Sequence, residues 1–499
     1  MNRALFRLSL ACLAMFVLLL LNVNYVQAFK ASSLASEPGN VRVFDQQFQY
    51  QRGSIIAAGD QAHGGQNVKI AESVPVKGST TGNTTYQRHY PAGPQYAPVT
   101  GYDSIFGKTG IEAAEGKYLA GTASSLTVHN LIGLLTGKPK QGANVYLTIS
   151  AKAQTAAYQA LLNDGGHDAA AVAINPSTGA ILAMASVPTF DPNKYTTFDG
   201  AKLDKIDLQY RQNPAQPLLN RAINATYPPG SSFKVVTSAA AFQTGKVANV
   251  DTFVNAPQPL NLPNGHQLNN DAGELCGNGH PPVIEAFYRS CNTAFGQIGM
   301  NLGGATLQNY ATKFGWNSSN LTIPMPVSPS VIPLVTDKSL TAYTAIGQLS
   351  DEVTPLQEAM DAAAIANHGT LMKPYLVQSV QAPDLSTIQS TSPSVLSQAV
   401  NAQVANQVAQ MMLAVTQNPA GTAFATANQQ VAGVQIAGKT GTAENGVNNA
   451  GLNDAVFTCF APASNPSIAV GVIVKGGGFG ADAAAPIAVK IIKAYLGLH

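Results

Sequence analysis

The sequence predicts an α+β protein: one antiparallel sheet packed with helices, a helical lobe beside it, a mostly β region before it and an N-terminal membrane helix. Three observations lead to this prediction. Leu8–Phe29 is a run of 22 residues without a charge. Strand-like segments stand on both sides of a long helical stretch, so one sheet can bring its ends together around an inserted lobe. Residues 30–150 are rich in Gly, Thr, Gln and Tyr and contain only short strand-like runs.

The apolar run at the start is long enough for a membrane anchor, because about 20 apolar residues span a bilayer. Arg3 and Arg7 precede it, which predicts that residues 1–7 stay in the cytoplasm and that the rest is exported. A cleaved signal peptide is the alternative. The most apolar part, Leu8–Leu21, is short, and Val26–Ala28 resembles a small-residue cleavage site.

The composition indicates a folded, two-domain protein and gives no sign of nucleic-acid binding. Charged residues make up 11% of the 499 residues, against a typical value of about 25%, but 45% are hydrophobic. That length is enough for two domains with sizeable cores. The net charge is +2 and no basic run occurs, so we expect no nucleic acid as a partner.

The cysteines do not have the spacing of a metal site, and we expect neither a metal nor a cofactor. Cys276 and Cys291 are fifteen residues apart, and an exported domain permits a disulfide between them. That bond would tether the loop that carries Ser290 and Asn292. The alternative is that both are separate small core residues, as we expect for Cys459 in its strand.

Periodicity and turn residues locate the other elements in chain order. After a strand-like run at Val145–Ile149, the pattern predicts a helix and then a hairpin around the turn Asn175–Gly179. Helical patterns dominate from Ser231 to about Gln417, and strands return before a closing helix. The predicted elements are the helices Ala151–Leu162, Thr354–His368, Val400–Val415 and Ala485–Leu496, and the strands Ala169–Ile174, Ala180–Ser186, Val434–Gly438, Val456–Phe460 and Ile468–Val474.

The segment Ser231-Ser232-Phe233-Lys234 is a candidate nucleophile and base. Prolines and a glycine precede it, which predicts a helix that begins at Ser231. Residues i and i+3 share a helix face, so Lys234 lies beside Ser231 while Ser232 points elsewhere. A lysine with a lowered pKa can activate a serine hydroxyl. Alone, the motif is weak, because about two matches are expected by chance in a chain of this length.

Two further motifs, Ser290-Cys291-Asn292 and Lys439-Thr440-Gly441-Thr442, strengthen this interpretation. Each has a second copy, at Ser318–Asn320 and at Lys108–Gly110. The Lys108 copy precedes both serine motifs, and the Ser318 copy lies in a polar loop. Asn292 instead opens a helical pattern. Lys439 follows the run Val431–Gly438 and precedes a turn, as an edge strand beside a cleft would.

The order of these motifs resembles that of the class B penicillin-binding proteins, and the resemblance covers nearly the whole chain. The region before the predicted catalytic domain is similar to that of the actinobacterial subgroup. One departure is Thr148–Ser150, where the family usually ends in aspartate. The segments that carry the resemblance are Arg52–Ile55, Tyr86–Pro91, Tyr96–Tyr102, Gly110–Ala114, Val172–Ala183, Ser186–Asn193, Val353–Gln357 and Met372–Tyr375.

The resemblance implies a peptidoglycan D,D-transpeptidase. Ser231 would attack the carbonyl between two D-alanines of a stem peptide, and Lys234 would accept its proton. The backbone N–H groups of Ser231 and Thr442 would hold the oxyanion. Ser290 would relay the proton to the leaving D-alanine, and Asn292 would bond the substrate amide and hold Lys234. β-Lactams would acylate the same serine.

The third motif would bind the substrate carboxylate. Lys439 would supply a positive field, Thr440 and Thr442 would bind the carboxylate, and Gly441 would leave room for the substrate backbone. The resemblance further implies an uncleaved anchor at residues 8–29, a non-catalytic pedestal region at 30–157, a penicillin-recognising transpeptidase domain at 158–499 and a membrane-embedded peptidoglycan polymerase as partner. The alternatives are a D,D-carboxypeptidase, in which water replaces the acceptor amine, and a catalytically inactive cell-wall scaffold.

Overall fold

The computed structural model describes residues 2–30, 48–60, 65–76, 85–127, 140–163, 168–428, 433–443 and 452–498. The first helix, α1 (Asn2–Tyr25), continues as a π-helical segment to Lys30. Its apolar part, Leu5–Lys30, has a mean hydropathy of 2.2, and none of it is buried against the protein. This N-terminal helix fits a single membrane anchor, and a signal sequence would have the same length and composition.

The pedestal region contains short strands and short helices, as its composition predicts. In chain order they are β1 (Ile55–Ala57), β2 (Val68–Val76), β3 (Thr85–His89), α2 (Gly93–Thr100), β4 (Asp103–Ser104), β5 (Gly107–Lys108), α3 (Gly110–Ala114), α4 (Gly116–Leu119), β6 (Asn144–Leu147) and α5 (Ala151–Asn163). Helix α5 is unbroken at residues 157 and 158, where the sequence analysis put the domain junction, so the position of that junction remains a prediction.

The rest of the described chain begins with a hairpin, continues through helices and ends with strands and a helix. These elements are β7 (Ala169–Ile174), β8 (Ile181–Val187), α6 (Gly200–Arg211), α7 (Arg221–Asn224), α8 (Lys234–Gln243), β9 (Leu260–Asn261), β10 (Gln267–Leu268), α9 (Val283–Tyr288), α10 (Asn292–Leu302), α11 (Gly304–Lys313), α12 (Lys338–Thr344), α13 (Pro355–Ala366), β11 (Thr370–Met372), β12 (Val377–Gln381), β13 (Thr387–Ser390), β14 (Val395–Gln398), α14 (Ala402–Gln417), β15 (Ala437–Ala443), β16 (Asp454–Ala461), β17 (Ile468–Val474) and α15 (Ala484–Leu496).

One five-stranded antiparallel sheet joins the two ends of this C-terminal region, as predicted. Its order is β15-β16-β17-β7-β8, and β7 pairs with β17 from Ala169↔Val474 to Ile174↔Ala469. Every residue of β7, β8, β16 and β17 is buried. Because these strands are buried on both faces, other elements must pack against each face of the sheet. Helices α5 and α15 pack together on the sheet, and α13 packs on β7, β16 and β17.

A second sheet is shared between the pedestal region and this C-terminal region. Its order is β13-β12-β6-β1-β2-β3, and β12 pairs with β6 from Val377↔Leu147 to Gln381↔Asn144. The prediction that helices dominate up to residue 417 is therefore wrong for residues 370–398. These strands are short and partly exposed. For β12 the sequence carries little signal because part of its pairing comes from β6, which is distant in the chain.

Candidate active site

The candidate nucleophile lies on a tight turn at the start of α8. Gly230–Phe233 forms a 3₁₀ turn and the α-helix begins at Lys234, slightly later than the predicted start at Ser231. Gly230 has a φ of 55°, and a Cβ there would lie 2.7 Å from the Thr442 carbonyl oxygen. Residues i and i+3 eclipse one another in a 3₁₀ turn. Accordingly, Ser231 Oγ and Lys234 Nζ are 2.8 Å apart.

The neighbouring Ser232 points away from the cleft, as its spacing predicts. It is buried, and its hydroxyl lies 2.8 Å from the Pro229 carbonyl oxygen and 2.7 Å from Glu358 Oε1. Ser231 is thus the serine of this pair that faces Lys234.

The Lys234 amine is fully buried in a cage of acceptors. Its Nζ lies 2.7 Å from both the Ser290 carbonyl oxygen and Asn292 Oδ1. A neutral amine has two N–H groups and one lone pair, whereas an ammonium has three N–H groups. The two carbonyl-type oxygens can take both protons of the neutral amine. The lone pair then faces the Ser231 hydroxyl, which is the arrangement that a general base needs.

Burial and a second cation both favour the neutral form of this amine. Burial lowers the pKa of Lys234 well below its usual value, the positive charge of Lys439 lowers it further, and Asp271 opposes the shift. Burial also lowers the pKa of Lys439 to about 7, again against the effect of Asp271. Burial removes both amines from water. Repulsion from the positive charge of Lys439 further disfavours the ammonium form of Lys234.

Ser290 connects the two amines. Its Oγ lies 3.3 Å from Lys234 Nζ and 2.9 Å from Lys439 Nζ. Ser290 has a φ of 62°, which is an uncommon backbone conformation for a residue other than glycine. This conformation lets the Ser290 carbonyl oxygen and hydroxyl both face Lys234. A hydroxyl between two amines can accept a proton from one and pass a proton to the other.

A disulfide joins Cys276 to Cys291, with the two Cα atoms 6.3 Å apart. The sequence was compatible with either a disulfide or two separate core cysteines. The structure contains the disulfide. It fixes the residue between Ser290 and Asn292 to the segment that forms one wall of the cleft. Asn292 Nδ2 in turn donates to Asp271 Oδ1 on that wall at 3.1 Å.

The third motif lies inside the edge strand β15. The prediction of an edge strand is confirmed by the sheet order, but the predicted end at Gly438 is wrong because pairing with β16 continues to Ala443. Lys439 Nζ donates to the Thr440 carbonyl oxygen at 2.8 Å. A Cβ at Gly441 would lie 2.6 Å from the Pro229 carbonyl oxygen. The missing side chain therefore lets the strand pack on the nucleophile turn.

The three motifs meet in one cavity of about 370 Å³. Ser231, Ser290, Thr440 and Thr442 line it directly. The buried Lys234 and Lys439 reach it through their hydrogen bonds to Ser231 and Ser290. The remaining lining residues are Asn270, Asp271, Glu274, Leu275, Cys276, Arg289, Cys291, Thr422, Phe479, Gly480, Ala481 and Asp482.

Sequence reasoning missed two residues that complete this arrangement. Asp271 accepts the hydrogen bond from Asn292 and affects the pKa of both lysines. Thr422 Oγ1 lies 2.8 Å from Thr440 Oγ1. Both lie in segments without a motif at a recognisable spacing, so the chain offered no local signal for either. The duplicate motif at Lys108 lies in β5 and pairs with Asp103 at 3.4 Å, within the pedestal region.

Comparison with known proteins identifies the family. Residues 169–493 match the family described as penicillin binding protein transpeptidase domain, and residues 52–145 match the penicillin binding protein A dimerisation domain. The chain belongs to the penicillin-binding proteins. A relative named peptidoglycan D,D-transpeptidase PbpA, from Mycolicibacterium smegmatis, is 40% identical, with 99% of both chains covered.

Two solved structures of another penicillin-binding protein share the fold. The crystal structure of PBPA from Mycobacterium tuberculosis has a TM-score of 0.83 and 36% identity, over 90% of this chain and 100% of that one. The imipenem acyl-enzyme complex of penicillin-binding protein A from M. tuberculosis has a TM-score of 0.83 and 38% identity, over 91% of this chain and 100% of that one. The predicted α+β penicillin-recognising fold is thereby confirmed.

Proposed function

We infer that this penicillin-binding protein is a peptidoglycan D,D-transpeptidase that forms a serine acyl-enzyme and is acylated by β-lactams. The observation that carries the inference is the 2.8 Å contact between Ser231 Oγ and the buried amine of Lys234. The acyl-enzyme complexes of a relative with imipenem, ceftriaxone and penicillin G support it.

The proposed reaction begins with attack of Ser231 Oγ on the carbonyl carbon between the two terminal D-alanines. The Ser231 proton passes to the lone pair of Lys234 as the new C–O bond forms. The Ser231 and Thr442 N–H groups would stabilise the oxyanion, and one well-placed donor contributes about 2.7–4 kcal/mol. As the C–N bond breaks, Ser290 would relay a proton from Lys234 to the departing D-alanine amine.

The edge strand would hold the substrate carboxylate. Lys439 supplies positive charge at the far side of Ser290, and Thr440 and Thr442 line the same cavity. We propose that these two hydroxyls bind the carboxylate, with Thr422 orienting Thr440. Asn292 would bond the substrate amide. An amine from a second stem peptide then attacks the acyl-enzyme, which regenerates Ser231 and makes the cross-link.

The acceptor distinguishes the transpeptidase from a D,D-carboxypeptidase with the same residues. Purified protein given donor stem peptides and an acceptor amine should release one D-alanine for each cross-linked product. Mass spectrometry of the products measures that ratio. Release of D-alanine with hydrolysed donor and no cross-link, under the same acceptor concentration, would favour the carboxypeptidase. Absence of both products from protein that penicillin labels would favour the scaffold.

We also propose that α1 is retained as an anchor with its N-terminus in the cytoplasm. Arg3 and Arg7 before the apolar run support this orientation. Protein recovered from membranes should then contain the N-terminal peptide by mass spectrometry. A mature chain that starts at Phe29 would show cleavage as a signal peptide and contradict the proposal.

The domain arrangement supports a role at the extracytoplasmic face of the cell membrane. We propose that the pedestal region, residues 30–157, spaces the transpeptidase domain, residues 158–499, away from the bilayer. Its partner there would be a membrane-embedded peptidoglycan polymerase that supplies the uncross-linked glycan strand. Photo-cross-linking from the pedestal region in intact membranes should capture such a polymerase, and capture from the catalytic region alone would contradict this arrangement.

A further inference from the structure

Helix α13 brings two buried acids behind the nucleophile turn, and the reaction proposed above uses neither. Glu358 and Asp361 are one helical turn apart and therefore share a face. They are 1% and 3% exposed. Asp361 accepts hydrogen bonds from Trp316 Nε1 at 3.1 Å and from Gln357 Nε2 at 2.8 Å. Glu358 instead contacts Ser232, the residue next to the nucleophile.

Both short contacts of Ser232 can be full hydrogen bonds only when the Glu358 carboxyl group carries a proton. Ser232 Oγ lies 2.8 Å from the Pro229 carbonyl oxygen, which can only accept. It also lies 2.7 Å from Glu358 Oε1. A hydroxyl has one proton. If that proton goes to Pro229, the second short contact is a hydrogen bond only when the carboxyl group donates to Ser232.

We propose that Glu358 is a positioning residue: as a neutral carboxylic acid it donates to Ser232 and thereby holds the 3₁₀ turn that aims Ser231 at Lys234. The chain of contacts is short. Glu358 fixes Ser232, Ser232 fixes the Pro229 carbonyl oxygen, and Pro229 begins the turn that carries Ser231. The inference rests on the proposed acylation of Ser231.

The backbone of Glu358 is itself fixed on the sheet. Thr458 Oγ1, on β16, donates to the Glu358 carbonyl oxygen at 2.6 Å. A Cβ at Gly471, on β17, would lie 2.7 Å from the Glu358 Cβ. The helix therefore lies directly on the central strands at this point. A carboxyl group on such a rigid base can hold a neighbouring turn in place.

The same helix also holds the other residue between the nucleophile and the base. Phe233 packs edge-to-face on Trp316, with ring centroids 5.1 Å apart. Asp361 holds the Trp316 indole N–H. Ser232 and Phe233 are thus both anchored by α13, through Glu358 and Asp361 respectively. This second link supports a positioning role for this face of the helix.

The electrostatic surroundings favour the neutral carboxyl group. Burial raises the pKa of Glu358 to about 8; a hydrogen bond donated by Ser232 to the carboxylate would oppose that shift, whereas one donated by the carboxyl group to Ser232 would not. Burial also raises the pKa of Asp361 well above its usual value, and ionisation of Glu358 would raise it further. The sequences of β7, β11, β17 and α14, which pack on α13, contain no charged residue.

The remaining titratable groups on the surrounding elements are bound elsewhere. Arg221, on α7, pairs with Asp168 at 3.2 Å. Asp454, at the start of β16, accepts from the Gly476 N–H at 2.8 Å. Burial raises the pKa of the Cys459 thiol, so it is neutral. Lys234 and Lys439 lie on the cleft side of the turn, and none of the variants below replaces either of them.

The test compares Glu358→Gln with Glu358→Leu in the full-length protein. Glutamine keeps an N–H donor for Ser232, and leucine has a similar volume but no donor. The measurement is the second-order rate constant for acylation by a fluorescent penicillin, with thermal unfolding recorded for each variant. We expect Glu358→Leu to slow acylation about tenfold, since a lost buried hydrogen bond has an effect of that order. Glu358→Gln should stay within about twofold of the unmodified protein.

Two further measurements separate positioning from a merely structural role. With Ser232→Ala already present, Glu358→Leu should have no additional effect on the rate. The ratio of the Glu358→Gln rate to the unmodified rate should be flat below pH 8 and rise above it. The sign follows because the carboxylate that forms at higher pH can no longer donate, whereas the amide does not titrate.

Several outcomes would overturn the inference. Equal loss in the leucine and glutamine variants, unchanged acylation in the leucine variant, or additive effects with Ser232→Ala would each do so. If the leucine variant does not fold, the pH ratio of the glutamine variant decides, and a ratio that is flat at all pH values rejects the proposal. Failure of the unmodified protein to be acylated at Ser231 would instead reject the proposed function.

Discussion

Replacing Ser231 with alanine should abolish covalent labelling by a fluorescent penicillin. We propose that the acyl bond forms at Ser231 Oγ, which is the hydroxyl that lies 2.8 Å from Lys234 Nζ. No other hydroxyl on the nucleophile turn faces that amine, because Ser232 Oγ is directed at Pro229 and Glu358. Gel fluorescence after prolonged incubation, with peptide mapping of the labelled site, measures the result.

The neighbouring serine provides the matched control. Ser232→Ala should still reach full labelling at Ser231 after prolonged incubation, although the contact with Glu358 predicts a slower approach. The reverse pattern, with labelling lost in Ser232→Ala and kept in Ser231→Ala, would reject the assignment of the nucleophile. Labelling of both variants at a third residue would reject it as well.

Replacing Lys234 with alanine should remove nearly all acylation while the protein stays folded. Loss of a general base costs about 100- to 10,000-fold in rate. In the unmodified protein the acylation rate should fall as the pH drops through the pKa of Lys234, because protonation removes the lone pair that faces Ser231. Burial and Lys439 lower that pKa well below its usual value, so the base form persists to a lower pH than it does for an exposed lysine. Stopped-flow acylation across pH, with thermal unfolding, provides the measurement.

The control for this variant is Lys202→Ala, which removes an exposed lysine on α6. It should leave the acylation rate and its pH dependence unchanged. Retained rapid acylation in Lys234→Ala would show that another group takes the Ser231 proton. An unfolded Lys234→Ala protein would be replaced by Lys234→Met, which keeps most of the side-chain volume and must show the same loss.

The geometry of the nucleophile and its base was predictable from local sequence. The spacing between Ser231 and Lys234 determines that they share a face, whether the turn is α-helical or 3₁₀. The hairpin β7–β8 and the final strands were predictable for a similar reason, since buried apolar runs are separated by clear turns. That the three motifs form one site could be predicted only from the family resemblance, because each motif alone has little specificity.

The residues that sequence reasoning missed act through contacts between distant segments. Asp271 is 21 residues from Asn292, and Glu358 is 126 residues from Ser232. Residues this far apart in the chain leave no periodic pattern, so no short window of the sequence predicts that they are in contact. The strands β12 and β13 were missed for the same physical reason. β12 pairs with the distant β6 and β13 pairs with β12, and their own residues alternate too weakly to indicate a strand.

The shared sheet has a consequence for the way in which the chain matures. Val377 pairs with Leu147, which precedes it by more than two hundred positions. A protein that is made and exported from its N-terminus presents β6 long before β12 reaches the same compartment. Until then one edge of the β6 strand remains open and can recruit other chains. With the topology proposed above, the pedestal region therefore completes its fold only after most of the chain has crossed the membrane.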